Sequence, residues 1–148
     1  MDRGAAVLLT AVVGGLIALQ APLNAGLGRT VGSFQAAFVS FAIGTVTLCV
    51  IAALARGGLG RVADVGNLSA WYYLLGGVLG AAYVTTVLVT VQTLGAGGVT
   101  AATVAGQLTM SMVVDQLGLL GVEKSPITAL KVVGVLLLAA GTFLIVRE

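Results

Sequence analysis

Asp115 is the one acid or base well inside a segment apolar enough to cross a bilayer, and polar side chains precede it at a regular interval. Thr103, Gln107, Ser111 and Asp115 follow at steps of four within TAATVAGQLTMSMVVDQLG, Thr100 to Gly118. Side chains four apart stack on one helical face. Val104, Leu108, Met112 and Val113 cover the other side. A carboxylate held in lipid is a candidate proton or cation site, because desolvation disfavours its charged form. The same residue also reads as a helix-end acid that reaches the interface, since Leu117-Gly118 follows it closely.

Three further places offer polar groups inside apolar surroundings. Gln20 and Asn24 flank Pro22 near the end of the first apolar segment. Proline lacks the N–H for the carbonyl of Ala18 and its ring crowds that turn, so a kink or an end is expected there. Freed backbone groups at membrane depth need protein or water, and the two amides would supply them; the plainer reading leaves Gln20 and Asn24 among headgroups. Ser40 lies in a stripe of small residues, Ser33, Ala37, Ser40, Gly44 and Thr47, beside a row of Phe34, Phe38 and Phe41. Such stripes bring helices close together, and Ser40 is the member also considered for substrate contact. Tyr83 falls near mid-membrane, above Thr86, Thr90 and Thr93. Its hydroxyl needs a partner in the bundle or a solvated cavity, because an unpartnered one costs a few kcal/mol.

The elements that must hold these groups are membrane helices. Apolar residues make up 59% of the 148 and charged ones only 8%, against about 25% charged in soluble domains; mean hydropathy is +1.14. Five segments reach the roughly 20 residues a span needs: 4–27, 33–55, 70–92, 98–119 and 126–146. Residues 1–148 thus read as a single five-helix transmembrane domain. Val65 to Val114 carries no charge, and the Gly95-Ala-Gly-Gly98 cluster is expected to divide it into a helical hairpin. Pro126 suits the first turn of the last helix, and Lys131 one turn further on is expected to snorkel to the surface. Gly44, Gly76, Gly77, Gly80, Gly106, Gly134 and Gly141 are expected at helix-packing positions, Gly76 and Gly80 with GxxxG spacing. Arg3 precedes an apolar run to Leu19 that is longer than a signal-peptide core, so a true span is expected there.

Other functions find little support. There is no histidine and only one cysteine, Cys49, so neither a metal centre nor a disulfide is indicated. No cofactor is expected, and a net charge of +2 is too small to suggest nucleic-acid binding. Asp115 has no second carboxylate, histidine or nucleophile in the spans to form a catalytic pair, so an enzyme is not expected. With five spans, Arg3, Arg56, Arg61 and Lys124 gather on the N-terminal side, with or without Lys131, against Arg29 and Arg147 on the other: five against two, or four against two. The balance leans toward a cytoplasmic N-terminus, and its small margin allows insertion in both orientations.

Gln20-Ala-Pro-Leu-Asn24, the GGxxGAxY run from Gly76 to Tyr83, and Gly106-Gln107 leading to Asp115-Gln-Leu-Gly118 occur in that order. Together they resemble the YdcZ-like family, a five-helix domain-of-unknown-function family of the bacterial inner membrane within the drug/metabolite transporter superfamily. The resemblance spans essentially the whole chain. It implies an all-α, multi-pass membrane protein in which two copies of opposite orientation form a ten-helix unit, with the second copy as partner and the bilayer as solvent. The function implied is secondary transport by alternating access in that antiparallel homodimer, with a dual-topology chain.

Such a transporter places its site near the midplane between the copies. Gln107 falls close to the middle of the fourth segment, with Asp115 roughly 10 Å nearer one face at 1.5 Å per residue. An inverted partner brings its Gln20 and Asn24 to the depth of Asp115. The expected site residues are Gln20, Asn24, Ser40, Tyr83, Gln107, Ser111 and Asp115. Amides and hydroxyls without a buried arginine suit a small polar or weakly charged organic solute, and the few aromatics do not indicate a large cation cage. A passive channel, or a structural subunit of a hetero-oligomeric membrane complex, would use similar residues.

Overall fold

A computed structural model describes residues 2–55 and 58–147. Arg56, counted above among the basic anchors, lies outside the described residues. All regular structure among the described residues is helical: α1 (Arg3–Val31), α2 (Ser33–Leu54), α3 (Ala70–Leu117) and α4 (Ala129–Arg147), with short 3₁₀ turns at Gly58–Asn67 and Leu119–Gly121. Each of the four α-helices is long and apolar enough to cross a membrane.

The boundaries differ from the sequence expectation in three places. α1 does not end or break at Pro22; it continues to Val31. Proline's fixed φ is itself helical, so the ring removes a hydrogen bond without forcing the chain to turn. Arg29 favours the last turn, and Gly32, at φ 94°, ends the helix. That φ lies in the region where a side chain is strained, so the α1–α2 turn favours glycine.

The third and fourth expected spans form one 48-residue helical run, α3, broken only at Gly95 (φ 67°, ψ 169°). The break is one residue wide where the cluster Gly95–Gly98 suggested a longer loop. The arms on either side, 70–94 and 96–117, are each long enough for a span. At the far end Gly118 takes the left-handed conformation (φ 65°) and stops the helix. Finally, α4 starts at Ala129, three residues after Pro126. Thr128 Oγ1 accepts from the Lys131 backbone N–H at 3.3 Å, and this N-cap places the start.

The described residues fall into two compact units: Gln20–Gln92, and the residues up to Leu19 together with those from Thr93 onward. In the first unit, Ala36, Ala37, Val84 and Leu88 form a small core, with Leu27 packed against it. Two alanines on α2 leave room for the fully buried Leu88 of α3, the close approach expected of a small-residue stripe. Phe41 presents its ring to Gly80, where an added Cβ would stand 3.6 Å from Cζ. Phe34 and Phe38 point outward. In the second unit, Thr142 of α4 donates to the Ala101 carbonyl of α3 at 3.1 Å, and Gly98 faces Val146. Thr142 thus gives α4 a polar tie.

Several hydroxyls in the spans satisfy themselves. Thr10, Thr45, Thr47, Thr90, Thr109 and Ser111 each donate to the carbonyl four residues earlier at 2.8–2.9 Å. In lipid this removes the cost of an open donor without a second helix.

Candidate functional site

The expected site residues divide between the two units. Gln107, Ser111 and Asp115 line one cleft of about 410 Å³ on the C-terminal arm of α3, together with Met110, Val114 and Val122. The five helical members follow at i, i+3, i+4, i+7 and i+8 and so share a face. Thr103, the first member of the polar stripe, does not line it. Asp115 is half-buried, and Gln107 and Ser111 are exposed.

The chemistry of the cleft follows from which polar atoms are already used. Ser111 Oγ donates its hydrogen to the Gln107 carbonyl at 2.8 Å, leaving only lone pairs for another molecule. Among the described residues, neither the Gln107 amide nor the Asp115 carboxylate has a hydrogen-bond partner on its side chain. The wall is otherwise thioether and aliphatic, from Met110, Val114 and Val122.

The lip beyond Asp115 is tied down by contacts that the residue pattern did not suggest. Ser125 donates its backbone N–H to the Asp115 carbonyl at 2.9 Å. Ile127 N–H donates to Gln116 Oε1 at 2.7 Å. Lys131 reaches back from α4 to the connecting segment, where its Nζ donates to Ser125 Oγ at 2.8 Å and to the Pro126 carbonyl at 3.2 Å. Ser125 and Gln116 could not have been found from sequence, because nothing in helical periodicity says that this loop folds back on α3.

In the other unit the polar residues meet each other. Ser40 Oγ donates to Asn24 Oδ1 at 2.6 Å, and Asn24, 9% exposed, is the buried polar residue of that unit. Ala21, Ala25, Ala36 and Ala37 are buried near them in sequence. Gln20 and Tyr83 are exposed.

A second groove, about 550 Å³, runs between the C-terminal arm of α3 and α4, lined by Ala102, Ala105, Ala139, Thr142 and Phe143 among others. It is largely apolar. Thr142 has already spent its hydrogen on Ala101, and Arg147 sits over the Phe143 ring, 5.7 Å from its centroid. Solute recognition is better served by the Gln107–Asp115 cleft.

Of the expected packing glycines, Gly80 alone meets a neighbour. A Cβ at Gly44, Gly76, Gly77, Gly106, Gly134 or Gly141 would find nothing within 4 Å among the described residues. Residues 5–144 match the family model DMT_YdcZ, described as "Putative inner membrane exporter, YdcZ". The chain belongs to the YdcZ family. Comparison with curated proteins and with solved structures gives no match. Family membership and the apolar helices together make this a multi-pass protein of the inner membrane, of a family described as exporters.

Proposed function

We propose that this YdcZ-family chain is a secondary transporter, and not an enzyme, that carries a small polar or weakly charged organic solute out of the cell. It works by alternating access in an antiparallel, dual-topology homodimer of ten helices, two copies of a single five-helix domain. The observation that carries this reading is the cleft of Gln107, Ser111 and Asp115. It sets an amide and a carboxylate, without side-chain partners among the described residues, on the open face of a helix apolar enough to span the bilayer. Such groups in lipid face a pathway or a second protein surface. The glycines that meet nothing among the described residues are then available to a second copy.

Screening solutes by solid-supported membrane electrophysiology on proteoliposomes tests the transport reading. A gradient-coupled current that Asp115→Asn abolishes supports it, and flux without coupling would make the protein a channel. The pairing is tested separately by Gln20→Cys with Asp115→Cys. Disulfide trapping between chains is expected, because inversion brings Gln20 of one copy to the depth of Asp115 in the other. Trapping confined to single chains rules the antiparallel arrangement out.

A further inference from the structure

The cleft that carries the proposed transport function has a pronounced imbalance of donors and acceptors, and this narrows what it can hold. Asp115 as a carboxylate offers only acceptor oxygens. Ser111 has committed its hydrogen to the Gln107 carbonyl and offers lone pairs. Met110 adds a thioether sulfur, a weak acceptor. Gln107 contributes one acceptor oxygen, and its NH₂ is the only donor on the lining side chains. Among the described residues no arginine, lysine or aromatic ring lines the cleft, and Val114 and Val122 complete it.

An anion would meet a carboxylate and one amide. A neutral acceptor-rich solute would leave the acceptors of Asp115 and Ser111 unmatched. A quaternary ammonium has no N–H to give, and it is usually held by aromatic faces, which are absent from this lining. A group with positive charge and several N–H bonds matches Asp115, Ser111 and Gln107 Oε1 together. These side chains stand one turn apart along the helix and converge on one face. We infer that the Gln107–Ser111–Asp115 cleft binds a protonated amine bearing N–H groups, a primary ammonium ahead of its N-methylated homologues, with a short aliphatic body against Met110, Val114 and Val122.

This rests on the cleft being the transport site, and the test separates the two claims. Full-length protein in lipid nanodiscs is titrated calorimetrically with butylammonium and its N-methyl, N,N-dimethyl and N,N,N-trimethyl homologues, with butyrate and butanol as charge controls. Affinity is expected to fall along the methylation series, by at least about tenfold from the primary to the quaternary ion, since hydrogen bonds to charged groups are the stronger ones. Butyrate and butanol should not bind measurably. Equal or tighter binding of the trimethyl ion, binding of butyrate, or no binding by any amine overturns the inference. Asp115→Asn and Ser111→Ala, each checked for a monodisperse gel-filtration profile, should weaken the primary ion most and flatten the series. If a graded series persists unchanged in both variants, amines bind elsewhere and the cleft loses its assignment as the site. If the variants abolish transport of a different solute class, the site stands and the amine assignment falls.

Discussion

Two pairs of polar positions in this chain started with equal standing and end with opposite characters. Asn24 and Ser40 lie on different helices of one unit and bond to each other at 2.6 Å, with Asn24 buried. Gln107 and Asp115 lie on one helix of the other unit, face the same cleft and find no side-chain partner among the described residues. Both pairs are amides or oxygens in an apolar chain, yet one has its hydrogen bond already made and the other leaves it to be made by something else. In lipid this difference separates glue from recognition. A polar residue in a span is therefore a weak pointer to function until its partner is known.

The comparison can be broken most decisively at Asp115. Asp115→Asn keeps the shape and removes the charge, and solute affinity or coupled transport should fall about ten- to a hundredfold, the worth of a hydrogen bond to a charged group. Thermal unfolding of the purified protein should move little, because the carboxylate makes no side-chain hydrogen bond among the described residues. A large loss of stability with transport intact would place Asp115 with Asn24 as a structural group. The opposite signature is predicted for Ser40→Ala, which leaves the buried Asn24 oxygen without its donor. Stability should drop by about 1–3 kcal/mol, read from denaturant or thermal unfolding in detergent, and should change more than turnover per folded protein. An unaltered melting curve would show that the pair contributes nothing to the fold.

The smallest effect sharpens the comparison through packing. Gly80→Ala places a methyl at ordinary contact distance from the Phe41 ring. Helix propensity then favours the variant by about 0.5–1 kcal/mol, visible as a slightly raised melting temperature. Destabilisation there would mean that α3 approaches its neighbour more closely than 3.6 Å allows.

Much of the architecture was legible without coordinates. Hydropathy alone places apolar helices around Val12, Thr45, Val84, Thr103 and Leu137, because lipid leaves a chain few other ways to satisfy its backbone. Boundaries were legible only where a single residue type decides them. Gly118 ended a helix as its position suggested, whereas Pro126 did not begin one, because the Thr128 hydroxyl was a better cap. Pro22 misled for a related reason: proline forbids a hydrogen bond, and a long apolar helix tolerates one missing bond. The Gln107–Ser111–Asp115 face could be read because one helix carries all of it at a fixed period. The Ser40–Asn24 bond could not, since it depends on how two helices meet, and no periodicity within either one contains that information.

Lys131 changes how charge is counted along the chain. By sequence it belongs to α4, one turn beyond the start. By its hydrogen bonds to Ser125 Oγ and the Pro126 carbonyl, its ammonium belongs to the connecting segment, alongside Lys124. That segment therefore presents two positive charges to the membrane surface where a helix-bound reading allows one. Basic residues close to helix ends steer the orientation in which membrane chains insert. If the chain has the five spans its sequence suggests, the side chain that secures the lip of the cleft also enters the count of basic residues that bears on how the protein inserts.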